Sequence, residues 1–407
     1  MNKTKKFLVV GFALIILMGI GVAFVFSRPR LTKGPARVRV VRLESGEFQL
    51  MVGNRPYFVK GVCYSPIPPG EGYDFNFWGD PNEPWKVDGE LMKKMGVNTV
   101  RFYQPGENAE EVKKVIADLY RLYGIRTALG HYLGYWSWPP ANYAYPEFRE
   151  EVKEEVLDMV RTYKDEPGIL FWVLGNENNY SFDLEVKPWS SEELEQIENS
   201  YQRKIAKARI YYSFINDLAR AIKQIDPNHP VVMGNGGLAS INVAKEVCPD
   251  VDLLGGIVYQ GETFGGFWRK LQRDFGKPGV MLELGSDSYN AVTKGEDQDL
   301  QALYIISQWK AIARHAPGRG GIGNCLGGFV FEWNDEWWKH NECDPKGWSI
   351  HDTGGSWSNT SYYDGTVQNN MNEEWWGIVA ISPEKVMGIT KRIPKKAYYV
   401  LKELWKE

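Results

Sequence analysis

The sequence predicts a (β/α)₈ barrel that follows a single membrane-spanning helix at the N-terminus. Three observations lead to this prediction: a long uncharged apolar run near the N-terminus, eight short apolar segments after it, and helical patterns between these segments. Each short segment is apolar without interruption, which is typical of a parallel strand buried on both faces. Eight such units in about 350 residues fit a barrel with some long loops.

The N-terminal segment predicts a membrane anchor, with the bilayer in contact with residues 7–26. This run carries no charge, and twenty residues at a rise of about 1.5 Å each span the roughly 30 Å hydrocarbon core of a bilayer. The following "VAFVFSRPR" is bulky where a cleavage site needs small residues, so an anchor over 1–27 is favoured over a cleaved signal peptide. Residues 28–43 are basic and read as a linker, and residues 44–407 as the barrel domain.

The barrel domain begins with a predicted hairpin, in which Gly53-Asn54 supplies the turn. The helical patterns include one capped by Asn108 and ended by Gly124, and a long one that opens with a capping box at Ser190. An open doubly wound sheet is the alternative, but the loop after the first strand is not a Gly-rich phosphate turn. The predicted strands are 58–64, 99–103, 126–130, 169–174, 231–233, 253–259, 279–284 and 328–333.

Composition excludes some functions. The net charge is −3 and no basic face stands out, which argues against a nucleic-acid partner. Aromatic residues make up 14% of the chain, with 16 Trp and 22 Tyr, so either a large core or a sugar-stacking surface is expected. No metal site or cofactor is predicted, because the four cysteines lack zinc spacing and the His340–Cys343 pair has no further ligands at usable spacing. Buried free thiols are favoured over disulfides.

Polar side chains follow nearly every predicted strand. The carboxyl ends of barrel strands meet at one rim, where barrel enzymes keep their active sites. We therefore expect one polar site at this rim. Its candidate residues, in strand order, are Tyr64, Arg101, Tyr103, His131, Tyr132, Asn176, Glu177, Tyr259, Glu283, Glu332, Trp333, Asn334 and Asp335.

Two of these residues form a candidate catalytic pair. Glu177 follows strand four in "ILFWVLGNENN", and Glu283 ends strand seven. Two carboxyl groups across a barrel mouth can cleave a glycosidic bond, with retention of configuration when they lie about 5–5.5 Å apart. Arg101 and Tyr259 are predicted to keep Glu283 ionised, and Asn176 to donate to a sugar 2-hydroxyl.

Three stretches, "YKDEPGILFWVLGNEN", "KPGVMLELG" and "GGFVFEWNDEW", resemble the catalytic barrel of glycoside hydrolase family 2. The resemblance covers roughly residues 58–399 and implies a retaining β-glycosidase acting on β-linked glycans. It further implies that Glu177 is the acid/base, Glu283 the nucleophile and Trp333 an aromatic sugar platform. The chain departs from the family in lacking room for β-sandwich domains ahead of the barrel, and "GVNTVRFYQP" is also similar to barrel enzymes that cut or transfer β-1,3-glucans.

The remaining predictions concern substrate contacts and alternatives. His131 is a candidate substrate ligand, although a satisfied buried histidine is equally compatible, and Trp136 is a candidate for stacking on a glycan. Two other functions stay open: a transglycosidase that remodels a β-glucan, and an inactive carbohydrate-binding barrel. The charges flanking the apolar run place the body in the cytoplasm, whereas a glycan substrate suits an extracytoplasmic domain, which is our expectation.

Overall fold

The computed structural model describes residues 36–134, 141–339, 343–354 and 371–406. This part begins with a three-stranded antiparallel sheet of β1 (Val38–Arg42), β2 (Phe48–Val52) and β3 (Arg55–Tyr57). The Val38 and Phe48 amides donate to carbonyls that lie just ahead of two barrel strands, at Asn228 and Gly323, each at 2.7 Å. The sheet therefore covers the amino end of the barrel.

Eight parallel strands close into a barrel, as predicted. A closed parallel barrel has no free strand edge, and its helices cover the outside. Two short antiparallel pairs stand apart from it, β11 (Tyr289–Asn290) with β12 (Gly295–Glu296) and β14 (Val379–Val386) with β15 (Ile389–Pro394). The barrel strands are β4 (Val59–Cys63), β5 (Thr99–Phe102), β6 (Arg126–His131), β7 (Ile169–Leu174), β8 (Val231–Gly236), β9 (Leu253–Ile257), β10 (Gly279–Leu284) and β13 (Cys325–Val330).

The helices alternate with these strands and bury one face against the barrel. The described helices are α1 (Pro84–Met95), α2 (Ala109–Asp118), α3 (Pro146–Tyr163), α4 (Tyr180–Asp183), α5 (Glu192–Glu195), α6 (Ser200–Ile225), α7 (Ile241–Val247), α8 (Phe267–Asp274), α9 (Gln298–Arg314) and α10 (Lys396–Leu404). Short 3₁₀ segments lie at Phe77–Gly79 and Glu373–Trp375, and a π-helical turn at Leu119–Tyr123 extends α2.

The core has two layers, as β7 illustrates. Phe171 and Val173 belong to the barrel interior, whereas Trp172 and Leu174 belong to the layer between strands and helices. Because neighbouring strand residues point to opposite faces, a strand buried on both sides must be apolar throughout. This explains the uninterrupted apolar segments of the sequence.

Several predicted boundaries differ from the structure, and two of the differences have consequences. The eighth strand is β13, which ends at Val330 instead of residue 333. After it the chain bends towards the C-terminal segment, where the Val379 amide donates to the Trp333 carbonyl at 2.9 Å. The predicted linker 28–43 contains β1, because Val38 is buried and β1 pairs with β2.

The predicted membrane anchor, residues 7–26, lies outside the described residues. Among the residues that the structure describes, none of the helices has the length and apolar character that crossing a bilayer requires.

Two buried ion pairs tie the C-terminal segment to the rest of the chain. Arg392 on β15 donates to both carboxylate oxygens of Asp88 on α1, at 2.8 and 2.9 Å. Lys395 donates to Asp335 at 2.6 Å. All four side chains are at most 3% exposed. We call these four residues the C-terminal seam.

Candidate active site

Glu283 lies at the carboxyl end of β10 and accepts three hydrogen bonds from side chains. Arg101 Nη1 donates to Oε1 at 2.8 Å, and the Tyr103 hydroxyl donates to the same oxygen at 2.7 Å. The Tyr259 hydroxyl donates to Oε2 at 2.7 Å. Donors that face both oxygens stabilise the ionised carboxylate, which is the form a nucleophile requires.

The donors to Glu283 come from the carboxyl ends of β5 and β9, of which only β9 pairs with β10. Arg101 on β5 is 1% exposed, and its Nη2 also donates to Asn176 Oδ1 at 2.7 Å. Tyr103 follows two residues later, so its side chain points the same way as that of Arg101. Burial, followed by the nearby Glu283 carboxylate, raises the pKa of Tyr259 well above its usual value. Tyr259 therefore stays protonated and remains a donor.

Glu177 lies in a tight turn directly after β7. Gly175 has φ 80° and Glu177 has φ 58°, both left-handed. A Cβ on Gly175 would lie 2.6 Å from Asn178 Oδ1, so only glycine fits there. Asn178 Oδ1 also accepts from the Asn176 amide at 2.6 Å. The Gly-Asn-Glu-Asn run thus stops the strand and holds Glu177 at the rim.

Glu177 has a different electrostatic environment from Glu283. Burial raises its pKa to about 8, and the negative charges of Glu283 and Glu373 add to this effect. Arg101 and a hydrogen bond with Tyr180 oppose the rise without cancelling it. Glu177 therefore keeps its proton near neutral pH, as a general acid must.

His131 does not face this site. Its Nδ1 accepts from the Leu133 amide at 3.0 Å, and its Nε2 lies 3.4 Å from Glu155 Oε2 on α3. Along β6, Ala128 points into the barrel, so His131, three residues later, points outwards to the helices. Burial lowers its pKa to about 4, which keeps the ring neutral. This position of His131 fits the alternative of a satisfied histidine rather than a substrate contact.

Trp333, the predicted sugar platform, is enclosed by other side chains. Its side chain is fully buried, its Nε1 donates to Asp88 Oδ1 at 2.9 Å, and its ring packs edge-on against Tyr398. The reason is the early end of β13, which places Trp333 beyond the rim and inside the C-terminal seam. The other predicted aromatic contact, Trp136, lies outside the described residues.

Two aromatic residues outside the predicted set of rim residues pack against Tyr259. The Trp376 and Phe331 rings pack edge-on against it, with centroids 4.6 and 6.3 Å away. Phe331 directly follows β13, and Trp376 comes from the C-terminal segment. Tyr103 was a rim candidate, and its i, i+2 spacing from Arg101 was the signal that it shares the site. No sequence signal places Trp376 there.

A second group of carboxyl groups follows β13, and we call Glu332, Glu336 and Glu373 the acidic arc. Glu332 and Glu336 are 1% and 6% exposed. Burial, followed by the charge of Glu336, raises the pKa of Glu332 well above its usual value. Burial likewise raises the pKa of Glu336 to about 7, although Lys339 opposes this rise. The charge of Glu283 acts on Glu336, so the arc and the catalytic candidates share one electrostatic environment.

The next features of the described residues are those that could bind a metal ion or form a disulfide. Among the described residues, no three His, Cys, Asp or Glu side chains are placed to hold a metal ion. The four cysteines are unpaired, and three of them, Cys63, Cys248 and Cys325, are buried.

The fold and this rim define a (β/α)₈ barrel with a carboxylate site at the carboxyl ends of its strands. Solved structures with a similar fold include a GH2 β-galacturonidase from Eisenbergiella tayi bound to galacturonate, with a TM-score of 0.55 and 15% identity over 91% of this chain. A β-glucuronidase from Bacteroides uniformis gives a TM-score of 0.54 at 18% identity over 88% of this chain. Bifidobacterium dentium β-glucuronidase complexed with coumarin-3-O-glucuronide gives 0.54 at 17% over 91%.

This chain spans 54%, 36% and 49% of those three chains, that is, about half of their length or less. The comparison confirms, for the fold, the barrel that the family resemblance implied. Neither a scan against protein-family models nor a search of curated proteins gave a match.

Proposed function

We propose that this protein is a retaining β-glycosidase, with Glu283 as nucleophile and Glu177 as acid/base. The observation that carries the proposal is the contrast between the two glutamates. Glu283 accepts hydrogen bonds from Arg101, Tyr103 and Tyr259, whereas the pKa of Glu177 is raised by burial and by neighbouring charges. A carboxylate held by several donors, together with a second carboxyl group of raised pKa, is the usual sign of a nucleophile and an acid.

In the first step, a Glu283 oxygen attacks the anomeric carbon as the glycosidic bond breaks. Glu177 gives its proton to the departing oxygen, so the aglycone leaves as a neutral alcohol. Asn176, which is held by Arg101 Nη2 at 2.7 Å, is placed to donate its amide hydrogens to the sugar 2-hydroxyl. That bond strengthens as positive charge develops on the ring.

In the second step, Glu177 acts as a base. It takes a proton from water, the water oxygen attacks the anomeric carbon, and the ester bond to Glu283 breaks. Each step inverts the configuration of the anomeric carbon, so the two steps together retain it. A sugar hydroxyl in place of water would give transfer instead of hydrolysis, and product analysis separates the two.

The experiment uses the full-length protein and 4-nitrophenyl β-glycosides of glucose, galactose, mannose, glucuronic acid and galacturonic acid. The two uronides are included because the similar structures are named for cleaving them. For each cleaved substrate, proton NMR gives the anomer that forms first. The matching 2-deoxy-2-fluoro glycosyl fluoride traps the nucleophile, and mass spectrometry of peptides locates it.

We expect the β-anomer first, a label on Glu283, and a loss of at least about 10⁴-fold in kcat/KM for Glu283→Gln. The exposed carboxyl group of Glu246 gives a matched control, and Glu246→Gln should behave like the parent. An α-anomer, a label on another residue, or neither turnover nor labelling with any probe would show that the proposal is wrong.

A further inference from the structure

The backbone of Glu177 has an unfavourable conformation. Its φ of 58° lies in the left-handed region, which residues with a Cβ rarely adopt. Leu133, in the loop after the neighbouring strand β6, is fully buried and has a φ of 60°. Such residues persist where surrounding contacts hold them, and they cluster at functional sites. The contacts that hold these two residues therefore bear on how Glu177 is placed.

The side chain of Asn178 connects the two strained segments. Its Oδ1 accepts from the Asn176 amide at 2.6 Å, which closes the turn after β7. Its Nδ2 lies 2.9 Å from the Tyr132 carbonyl oxygen and 3.2 Å from that of Gly134, one residue to either side of Leu133. Asn178 is 1% exposed, so these bonds form away from water.

The Tyr143 hydroxyl group adds a further bond to each segment. It accepts from Asn178 Nδ2 at 2.8 Å and donates to the Leu133 carbonyl at 3.0 Å. Burial raises the pKa of Tyr143 above its usual value, so the hydroxyl keeps its proton and remains a donor. The Asn178 amide thus uses both its donor and its acceptor atoms. Ionised aspartate and leucine, which are of similar size, lack the donors.

Asn179 fixes the following residue of the chain to the strand on the other side of β7. Its Oδ1 accepts from the Gly236 amide at 2.8 Å, and its Nδ2 donates to the Gly236 carbonyl at 2.9 Å. Gly236 ends β8, which pairs with β7. These bonds do not involve the Asn178 side chain. We therefore expect the chain after the turn to stay attached to the barrel when Asn178 is replaced.

We propose that Asn178 is a positioning residue for the acid/base, because it holds the Glu177 backbone in its left-handed conformation and ties it to the loop after β6. This inference rests on the proposed function, since Asn178 acts through Glu177. The three donors to Glu283 come from the ends of β5 and β9, and none of them is bonded to Asn178. Proton transfer should therefore depend on Asn178 far more than nucleophilic attack does.

The test compares Asn178→Ala with the parent on two β-glycosides of the same sugar, one with a phenyl and one with a 2,4-dinitrophenyl leaving group. A misplacement of about 1 Å can cost about 100-fold in rate, so kcat/KM for the phenyl glycoside should fall by this factor. The 2,4-dinitrophenyl group leaves without a proton. For that glycoside, kcat/KM should fall less than about fivefold, because general acid catalysis does not contribute to its first step.

Two further variants separate positioning from folding. Asn216 on α6 is 3% exposed and exchanges hydrogen bonds with Asp250 at 2.8 and 3.1 Å. Asn216→Ala is therefore a matched control, which should lower the melting temperature and leave the ratio of the two kcat/KM values unchanged. Tyr143→Phe removes one partner of Asn178 with little change in volume. It should lower kcat/KM about fivefold for the phenyl glycoside, as expected for one hydrogen bond, and keeps the inference testable if Asn178→Ala does not fold.

Crystal structures of the variants give a measurement that does not need turnover. In Asn178→Ala, the Glu177 carboxyl group should move by about 1 Å or more, while Glu283 and its donors stay in place. In Asn216→Ala, the Glu177 carboxyl group should stay within about 0.5 Å of its position in the parent.

The outcomes separate this inference from the proposed function. Equal losses for the two glycosides would overturn the inference and leave the glycosidase assignment in place, and so would an unmoved Glu177 carboxyl group in Asn178→Ala. If the parent neither cleaved nor was labelled by any probe, the glycosidase assignment would be wrong. The displacement of Glu177 in the variant structures would then decide whether Asn178 positions it.

Discussion

The active-site rim and the C-terminal seam are both buried and charged, but their charges are arranged differently. In the seam, two acids meet two bases: Asp88 with Arg392 and Asp335 with Lys395. At the rim, the described residues include five carboxyl groups and two cations, and burial raises the pKa of Glu177, Glu332 and Glu336. In the seam, each acid is paired with a base, and the pairs stabilise the fold. At the rim, carboxyl groups that lack a cation have perturbed pKa values, which are typical of functional sites.

The largest effect of a substitution at the active-site rim is expected at Glu177. We expect Glu177→Gln to lower kcat about 1,000-fold for a substrate with a poor leaving group, because proton transfer contributes about 10²- to 10⁴-fold. A 2,4-dinitrophenyl glycoside needs no proton in the first step, so its glycosylation should change far less. Added azide should restore turnover and give a β-glycosyl azide. Equal losses for both leaving groups would contradict the acid/base role.

The raised pKa of Glu177 also predicts a pH effect. Activity that depends on its proton should fall as pH rises through about 8. For stability, the folded protein keeps a proton on Glu177 that the unfolded chain loses above its usual pKa of 4.5. Stability therefore falls as pH rises from about 4.5 to about 8. In Glu177→Gln the melting temperature should fall less than in the parent between these pH values. The same dependence of melting temperature on pH in both proteins would contradict the raised pKa of Glu177.

Breaking the seam should affect stability instead. Asp88→Asn leaves Arg392 buried without its carboxylate, and we expect a loss of about 3 kcal/mol in the free energy of unfolding. The exposed pair of Lys396 with Asp299 provides the control, since Asp299→Asn should cost less than about 1 kcal/mol. Urea titration measures both. If Asp88→Asn lowered the free energy of unfolding no more than the control does, the buried seam would not be more important for stability than an exposed ion pair.

Tyr259→Phe is a milder change at the rim. It removes one of the donors to Glu283, and hydrogen bonds to charged groups contribute about 1.5–3 kcal/mol, so kcat/KM should fall about 20-fold. The melting temperature should stay within about 2 °C of the parent. If the variant instead melted at a lower temperature and kept the parent's kcat per folded molecule, Tyr259 would have a role in packing and not in catalysis.

The smallest effect is expected at His131, whose ring faces α3. His131→Gln keeps an acceptor for the Leu133 amide, and kcat/KM should stay within about twofold of the parent. A tenfold change in KM without a change in melting temperature would place His131 back in the substrate site.

Much of the barrel could be predicted because its strands are buried on both faces. Continuous apolar runs reveal all eight strands, and the Gly-Asn-Glu turn reveals where β7 ends. A continuous run does not show which residues face the barrel interior, so it does not reveal that His131 points towards α3. The two glutamates, and Arg101 and Tyr259 as donors to Glu283, could be predicted from the strand ends, whereas the third donor, Tyr103, depends on strand parity.

Contacts made away from the carboxyl ends of the barrel strands could not be predicted. Nothing near Trp333 in sequence indicates that Asp88 and Tyr398 enclose it. Nor does any local pattern place Trp376 beside Tyr259, 117 positions away. The acidic arc could not be predicted either, because Glu373 lies near Glu332 and Glu336 only in the folded structure.

The Asp88–Arg392 pair has a consequence for how the protein is made. These residues lie 304 positions apart, so a ribosome must synthesise most of the chain before Asp88 can meet its guanidinium. Lys60, on the first barrel strand β4, similarly awaits the Trp405 carbonyl. Growing chains that stop before Arg392 would carry a bare carboxylate at Asp88, where the folded protein has a neutralised one. Synthesis of this C-terminal segment, rather than emergence of the eighth strand, should therefore be the event that completes the barrel.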